Sequence, residues 1–346
     1  MRIVQVAPLE ESVPPTKYGG TELVVYNLCE EMVKRGHEVF LLAAGDSQTS
    51  AKLIPITPLS LRKAYTTKDT DTWRSFLKTF HVSTMIKEIN KLEPDIIHNH
   101  YAWRLIQFSD FINCPMMSTI HSPLTSIHET YTYQHYPQAN YVSISNNQRK
   151  VMPNLNWVKT IYNGIDMDGF TLGTGPRDYF AFLGRTSPEK GLKEICQMIK
   201  KTNHKLKIAA KVDTADQDYF EQEVKPLIDG QQIEFIGEIG PEQKNDFLKQ
   251  AKALLLWLNW EEPFGLVVTE AMASGTPVIV NKRGAMAEIV IDGKNGYLVN
   301  SLDEMQNRLE DVENIKANFC REHVSKHFSA AKMAQDYIEL AGKLPR

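Results

Sequence analysis

A short stretch that ends at Glu270 carries the strongest chemical signal in the sequence. Glu262 and Glu270 flank Gly265, Leu266 and Val267, with an apolar run before them and small residues after them. The pattern predicts a strand, a turn and a helix start, where free backbone amides suit a phosphate or a sugar hydroxyl. A carboxylate accepts two hydrogen bonds, which matches the adjacent hydroxyls of a ribose or hexose. The two glutamates could therefore hold a sugar and a ribose, although isolated glutamates are commonly solvent-exposed.

A second stretch, residues 184–191, supplies positive charge. Arg185 and Lys190 lie in it, directly after the apolar run at residues 179–183. At the carboxyl end of a strand, two cations could neutralise a diphosphate both when it binds and when it departs as a leaving group. A solvated loop with two surface cations is the alternative. The position after a strand favours the functional interpretation.

A glycine pair opens the first predicted helix. Gly19 and Gly20 follow the apolar strand at residues 3–7 and precede a helix that starts at about Thr21. Two glycines let the backbone approach a ligand closely, and the helix start behind them offers amides to an anion. Alone this is a weak signal, because such a pair is commonly a plain turn.

Short apolar runs alternate with helical stretches along the whole chain, which predicts parallel sheets covered by helices. Two series of strands are expected, one on each side of a turn-rich segment at residues 163–175. The predicted strands span residues 3–7, 38–43, 95–97, 116–120 and 141–144, then 179–183, 205–210, 233–236, 253–258 and 277–280. The fold class is therefore α/β, with two Rossmann-like domains facing a central cleft lined by the carboxyl ends of both sheets.

Composition and charge limit the kinds of protein that this chain can be. A chain of 346 residues, 42% hydrophobic and 23% charged, is typical of a globular protein with two domains. The net charge of −3 gives no general attraction to nucleic acid. The four cysteines are scattered, no apolar run approaches the ~20 residues of a membrane helix, and the first residues resemble a strand more than a signal peptide. We therefore expect a cytoplasmic protein.

In their order along the chain, these motifs resemble retaining glycosyltransferases of family 4, the glycosyl transferases group 1, which have the GT-B fold. The run from Glu262 to Glu270 looks like the E-x7-E motif of these enzymes. Further stretches similar to the family are residues 18–22, 163–166, 184–191, 270–279 and 287–299. The resemblance spans nearly the whole chain and is specific for the family but not for the substrate.

The resemblance implies a role for each matched residue. Glu262 would contact the transferred sugar near its anomeric region, Glu270 would bind the ribose hydroxyls, and His121 resembles the sugar-contacting histidine of the first domain. Glu262, His121, Arg185 and Lys190 would form the catalytic set. The diphosphate would be held by Gly20, Arg185, Lys190, Gly265, Leu266 and Val267. The family often has two glycines at a position where this chain has residues 283–286 (Arg-Gly-Ala-Met). The resemblance therefore does not support a sugar contact from that loop.

The resemblance also implies an organisation and a reaction. Residues 1–165 would form the acceptor-side domain, residues 166–325 the nucleotide-sugar donor side, and residues 326–346 a C-terminal helix packing back on the first domain. The enzyme would move a hexosyl group from a nucleotide diphosphate sugar, a UDP- or GDP-sugar, to a hydroxyl of a saccharide, a lipid-linked sugar or a small molecule. No cofactor and no metal are expected, because cations of the chain would stabilise the leaving diphosphate.

Two patterns resemble metal motifs. His98 and His100 would share one face of a strand, but no further ligand of convincing spacing accompanies them, so packing or acceptor contact is favoured over zinc. Asp69 and Asp71 imitate the D-x-D motif of the other glycosyltransferase fold, but they lie in a polar stretch that we predict to be a loop.

Three other functions remain as alternatives. A sugar-nucleotide epimerase on the same fold would convert the donor alone, and a glycogen-type phosphorylase would need a lysine-bound pyridoxal cofactor. A non-catalytic nucleotide-sugar-binding protein would bind the donor without turnover.

Residues 62–91, which are net basic and contain Trp73, Phe76 and Phe80, could contact an anionic membrane surface. An amphipathic helix packed on its own domain is the favoured interpretation.

Overall fold

The computed structural model describes residues 1–17, 19–65 and 70–344, apart from the side chains of residues 70 and 71. Tyr18 and Asp69, which belong to two of the motifs above, lie outside the described residues. The chain divides into two compact units. The first comprises Met1–Gly164 and the chain from Ala330 onward, and the second is Ile165–Ser329.

The first unit is built on a seven-stranded parallel sheet in the order β3-β2-β1-β4-β5-β6-β7. Its strands are β1 (Arg2–Val6), β2 (Glu38–Ala44), β3 (Lys52–Thr57), β4 (Ile96–Asn99), β5 (Met116–Ile120), β6 (Asn140–Ser143) and β7 (Trp157–Thr160). Its helices are α1 (Gly20–Lys34), α2 (Leu61–Ala64), α3 (Thr70–Phe80), α4 (Val82–Leu92), α5 (Trp103–Ile106), α6 (Ile127–His135) and α7 (Asn146–Arg149), and the chain returns to this unit in α15 (Ala330–Ala341).

The second unit repeats the plan with a six-stranded parallel sheet in the order β10-β9-β8-β11-β12-β13. Its strands are β8 (Tyr179–Arg185), β9 (Leu206–Lys211), β10 (Ile233–Gly237), β11 (Ala251–Leu256), β12 (Val278–Asn281) and β13 (Gly296–Val299). Its helices are α8 (Leu192–Ile199), α9 (Gln217–Tyr219), α10 (Pro241–Lys249), α11 (Leu266–Ala273), α12 (Met286–Ile289), α13 (Leu302–Asn307) and α14 (Ala317–His327).

Both sheets have the strand order of a doubly wound Rossmann-like fold. In each unit the first three strands run outward in one direction, and the chain then crosses back to place the fourth strand beside the first. This creates a switch point between β1 and β4 in the first unit and between β8 and β11 in the second. Ligands of such sheets bind outside the carboxyl ends of the strands at the switch point. The predicted pair of Rossmann-like domains is confirmed.

The predicted strands follow from burial on both faces of a parallel sheet, which favours continuous apolar runs. Each of them is present, with its ends shifted by no more than two residues. The structure adds β3, β7 and β13, which the sequence analysis did not predict. All three are edge strands, and β3 and β7 are only partly buried, so neither shows a continuous apolar run.

The core of the first unit lies between the sheet and its helices. Val4 and Leu42 of the sheet pack in one cluster with Leu61 of α2 and with Met85 and Ile89 of α4. Burial of such side chains contributes roughly 1.5–3 kcal/mol each. The cluster fixes the plane of β1 and β4 and therefore the place where their carboxyl ends meet.

One prediction for residues 62–91 is wrong, because Thr70 and Asp71, expected in a loop, belong to the first turn of α3. The expected packing of this segment on its own domain is observed for Leu77 of α3 and for Met85 and Ile89 of α4. The three aromatic residues of α3 do not share in it, since Trp73, Phe76 and Phe80 are 48%, 51% and 59% exposed. They stack on one another instead, with 5.1 Å between the rings of the first two. Among the described residues, no helix is both long and apolar enough to cross a membrane.

Candidate active site

A lysine, a glutamate and a tryptophan meet at the switch point of the second unit. Lys190 ends the turn after β8, and Trp260 and Glu262 follow the neighbouring β11. The Lys190 ammonium pairs with Glu262 Oε2, which also accepts a hydrogen bond of 3.1 Å from Trp260 Nε1. The ammonium lies 4.8 Å from the Trp260 ring centre, a cation–π distance. The structure thus brings the two predicted residues, Lys190 and Glu262, into contact, and it places Trp260 beside them.

The Lys190–Glu262 pair keeps hydrogen-bonding capacity for a ligand. The two side chains are only 16% and 11% exposed, so the pair is largely withdrawn from water. An ammonium has three donors and a carboxylate has two accepting oxygens. An anionic ligand can therefore use other N–H groups of Lys190 while a hydroxyl donates to Glu262.

Arg185, at the end of β8, belongs to the same loop but to a different set of contacts. Its guanidinium donates to Glu189 Oε1 at 2.6 Å and lies 3.7 Å from Asp216 Oδ2. Burial raises the pKa of the Asp216 carboxyl, and the Arg185 charge acts against that rise. The two predicted cations of this loop are therefore both held in ion pairs with acidic side chains.

The helix start predicted at Gly265 is confirmed. Gly265 caps α11 with a φ of +90°, a backbone conformation that favours glycine, and Leu266 and Val267 form the first turn. A Cβ atom at Gly265 would lie 2.9 Å from the Met286 methyl group. The fully buried Met286 therefore packs directly against the turn that opens the helix.

The loop after β12 supports the turn that carries Glu262. The backbone N–H of Ala285 donates to the Glu262 carbonyl at 2.9 Å, and the N–H of Gly284 donates to the Glu261 carboxylate at 2.8 Å. Gly284 has a φ of +58°, and a Cβ there would overlap the backbone of Glu262. The segment at residues 283–286, which departs from the family pattern, therefore holds Glu262 in place.

Glu270 lies one helical turn inside α11 and is paired with a residue that the sequence analysis did not single out. Its carboxylate is buried, and Oε1 accepts a hydrogen bond of 2.7 Å from Lys244 Nζ on α10. The ion pair fixes the orientation of a buried carboxylate that would otherwise be costly to desolvate. Two lysine–glutamate pairs therefore lie on the two sides of the α11 start.

The glycine loop of the first unit follows β1. Gly19 precedes α1 and Gly20 is the first residue of the helix. A Cβ at Gly19 would lie only 2.6 Å from Pro15, which shows how closely the loop packs on itself. Glu22, in the first turn, is 6% exposed, and burial raises the pKa of its carboxyl to about 7.

His121 follows β5 and belongs to a cluster of three histidines in the first unit. His100, which follows β4, contacts His121 through a hydrogen bond of 2.8 Å between Nδ1 and Nε2. The ring centres of His98 and His100 lie 3.9 Å apart, and His98 Nε2 contacts Thr119 Oγ1 at 2.8 Å. The predicted proximity of His98 and His100 is confirmed.

Burial decides the charge of these histidines. It lowers the pKa of His121 to about 4 and the pKa values of His98 and His100 well below their usual range. All three are therefore neutral at pH 7. Within the part of the chain that the structure describes, no three histidine, cysteine, aspartate or glutamate side chains are arranged to hold a metal ion.

The neutral histidines of this cluster predict a pH dependence of stability. Because the unfolded chain takes up their protons near pH 6.5 and the folded chain does not, the free energy of unfolding should fall on acidification below pH 6.5. Each histidine contributes about 1.4 kcal/mol per pH unit where only the unfolded state is protonated. The folded pKa of about 7 for Glu22 acts in the opposite sense between pH 7 and 4.5, but the three histidines outweigh one carboxyl.

Urea unfolding at a series of pH values measures this slope. His98→Gln should reduce the slope between pH 6 and 5 by about one histidine's contribution. His135→Gln, which removes an exposed histidine, is the matched control. A wild-type stability that rises on acidification through this range would contradict the neutral histidine cluster.

Three of the partners that orient the candidate residues were not predicted from the sequence. Trp260, Lys244 and Gln5 each contact a neighbour in these clusters. Trp260 lies two residues before Glu262, which was a usable signal. Lys244 lies 26 residues from Glu270, and nothing in the spacing indicates that α10 and α11 bring them together.

Two glycosyltransferase family models match consecutive parts of the chain. Glycosyltransferase Family 4 matches residues 18–168, and Glycosyl transferases group 1 matches residues 171–326. The glycogen synthase of Mycobacterium tuberculosis is 25% identical over an alignment of 342 residues, covering 86% of this chain and 81% of that protein.

Solved structures share the fold over the full chain. Sucrose-phosphate synthase from Thermosynechococcus elongatus superposes with a TM-score of 0.80 at 19% identity, covering 99% of this chain and 98% of that one. Anabaena HepE in complex with UDP-glucose gives a TM-score of 0.76 at 16% identity, covering 99% and 100%.

The two Rossmann-like units and these neighbours show the GT-B fold, and the two family models define the class of protein, a glycosyltransferase. Within that class, the chain belongs to the group 1 glycosyltransferases.

Proposed function

We propose that this glycosyltransferase moves a hexosyl group from a nucleotide diphosphate sugar to a hydroxyl acceptor with retention of anomeric configuration and without a metal. The observation that carries the proposal is the pair of largely buried lysine–glutamate contacts before and after the α11 start, the first of which lies at the switch point of the second unit. That Anabaena HepE was crystallised with UDP-glucose supports a nucleotide sugar as the donor.

In this proposal the diphosphate binds at the start of α11. The amides of Leu266 and Val267 face it, and Lys190 and Arg185 add positive charge from the loop after β8. The negative charge on the diphosphate grows as the bond to the sugar breaks, so groups held in place before the reaction stabilise the transition state more than the ground state.

The two glutamates separate the two ends of the donor. Glu270, oriented by Lys244, accepts hydrogen bonds from the ribose hydroxyls. Glu262, oriented by Lys190 and Trp260, accepts from hydroxyls of the transferred sugar near its anomeric carbon. In the first unit, His121 is the residue expected to contact a sugar hydroxyl. The acceptor hydroxyl attacks on the face from which the diphosphate leaves, and the departing diphosphate is the group that can take its proton.

A donor panel tests the proposal. Nucleoside diphosphates and their hexose conjugates are screened for thermal stabilisation, and the sugars that bind are then incubated alone and with saccharide acceptors. The proposal expects one nucleotide class to bind, and its hexose conjugate to release nucleoside diphosphate faster when an acceptor is present. An epimer formed from donor alone would indicate the epimerase instead, and tight binding with no release would indicate a non-catalytic binding protein.

Metal removal should leave transfer largely intact. Because Lys190 and Arg185 take the place of a divalent cation at the diphosphate, EDTA is expected to change the rate by less than about twofold. Initial rates with and without EDTA, with added magnesium or manganese as a control, measure this. Loss of nearly all activity in EDTA, restored by either metal, would show that a metal stabilises the leaving group.

A further inference from the structure

Two buried side chains and one partly exposed side chain form a hydrogen-bonded row at the carboxyl edge of the first unit's sheet. Gln5 lies on β1, His100 directly follows β4 and His121 follows β5. Gln5 Oε1 contacts His100 Nε2 at 3.0 Å, and His100 Nδ1 contacts His121 Nε2 at 2.8 Å. Gln5 is fully buried and His100 is 2% exposed.

The first member of the row has a defined orientation. The amide nitrogen of Gln5 donates to the sulfur of Met32 at 3.2 Å, which turns its carbonyl oxygen toward His100. The backbone N–H of His100 donates to the Val6 carbonyl at 2.9 Å and fixes the base of that side chain against β1. A flipped amide would place an oxygen against sulfur and lose the hydrogen bond to Met32.

This orientation determines where the protons are. A carbonyl oxygen only accepts, so His100 must carry its proton on Nε2. A neutral imidazole has one N–H, so His100 Nδ1 is an acceptor and His121 Nε2 must donate to it. His121, neutral as well, then has its lone pair on Nδ1. The proton positions on both imidazole rings therefore follow from three neutral side chains, those of Gln5, His100 and His121.

The surroundings keep the row neutral. The groups that act electrostatically on His100 are His98 and His121, and neither is charged at pH 7 because burial disfavours the protonated form. His98 itself contacts Thr119, whose hydroxyl lies 2.9 Å from the hydroxyl of Tyr337.

We propose that Gln5 and His100 are positioning residues of the transfer reaction. They hold His121 as the tautomer protonated on Nε2, so that Nδ1 accepts a hydrogen bond from a hydroxyl of the sugar substrate. This inference rests on the proposed function. It adds that His121 acts as a fixed neutral acceptor, which avoids placing an imidazolium beside a sugar that becomes positively charged in the transition state.

The variants separate the hydrogen bond from the packing. His100→Leu fills a similar space but cannot accept from His121, whereas the Oδ1 of His100→Asn can take the place of Nδ1. We expect His100→Leu to lower kcat about 5- to 100-fold, as for loss of one buried hydrogen bond, with His100→Asn retaining most of the rate. Affinity for the free nucleoside diphosphate should stay within about twofold in both. His135→Asn, at an exposed position, controls for the loss of a histidine.

Nitrogen-15 spectra of the imidazole groups read the tautomer without any turnover. Wild-type protein should show His121, assigned with His121→Asn, protonated on Nε2, with a nitrogen–nitrogen coupling across the hydrogen bond to His100 Nδ1. His100→Leu should lose that coupling. A proton on Nδ1 of His121, or a wild-type kcat in folded His100→Leu, would overturn the proposal. If wild-type protein turns over no sugar nucleotide, the proposed function fails and the sugar role of His121 fails with it, whereas the spectra still decide the tautomer.

Discussion

Replacing Lys190 with alanine is expected to lower the rate constant of sugar transfer at saturating donor by about 10- to 1000-fold, the range found when one preorganised donor to a developing anion is removed. The Lys190 ammonium is already in place, held by Glu262 and by the Trp260 ring, so it needs no rearrangement when the diphosphate departs. Its benefit is larger in the transition state, where the leaving group carries more charge, than in the bound donor. The maximal rate should therefore fall together with affinity.

The control is the next lysine along the same segment. Lys193 pairs with Glu223 at the surface, so Lys193→Ala removes an equal charge nearby and is expected to leave transfer unchanged. Single-turnover measurements with saturating donor compare the two variants, and thermal melting verifies that both are folded. Equal rates for wild type and a folded Lys190→Ala would mean that the diphosphate binds elsewhere.

Arg185 extends the same experiment. Arg185→Ala should lower the transfer rate by a factor within the same range. In the wild-type protein, the Arg185 guanidinium first has to loosen its contacts with Glu189 and Asp216 to reach a phosphate. Because both cations stabilise one leaving group, the double variant should lose less than the product of the two single losses. A strictly multiplicative loss would indicate that the two residues act on separate groups.

Replacing Glu270 with alanine is expected to weaken binding of the nucleoside diphosphate by about 10- to 150-fold, with a smaller effect on the chemical step. Loss of a charge-assisted hydrogen bond to a ribose hydroxyl costs about 1.5–3 kcal/mol. The Glu270 carboxylate is only 4% exposed and is oriented by Lys244, so little ordering is left to be done when the ribose binds.

Titration calorimetry with the free nucleoside diphosphate separates this loss from any effect on the sugar. Asp246→Ala, which removes an exposed carboxylate of α10 paired with Lys249, is the matched control. Glu270→Gln keeps two hydrogen-bonding atoms, so its affinity for the nucleoside diphosphate should lie between those of Glu270→Ala and Asp246→Ala. An unchanged affinity in Glu270→Ala would place Glu270 outside the nucleotide site.

The positions of the candidate residues were predictable because they follow strands. Apolar runs locate β8 and β11, and the doubly wound order makes them neighbours, so Lys190 and Glu262 come together although 72 residues separate them. The start of α11 was predictable for a similar reason, since only a turn fits between an apolar strand and a helix of small residues.

Contacts between side chains of different helices were not predictable in the same way. The Lys244–Glu270 pair depends on how α10 and α11 pack, and no spacing in the sequence encodes that. The row formed by Gln5, His100 and His121 depends on the register of three parallel strands. Sequence patterns predict which edge of the sheet a residue reaches but not which atom faces which.

The helix α3 shows that the burial of a helix face is also difficult to predict from the sequence. Trp73, Phe76 and Phe80 recur at helical spacing and therefore share a face. Periodicity identifies the residues of a face but not whether another element covers it. The segment packs on its own domain through Leu77 and through α4, whereas all three of these rings are about half exposed.

Proton NMR of the anomeric signal, recorded while a bound donor is consumed, decides whether the enzyme transfers a sugar with retention of configuration. An α-linked nucleotide hexose, chosen from the donor panel, is incubated with an acceptor, and spectra are recorded as the first product forms. We expect nucleoside diphosphate to appear together with an α-linked product, in the presence of EDTA. A β-linked first product would contradict retention, and no consumption of any bound nucleotide sugar would contradict the proposed transfer itself.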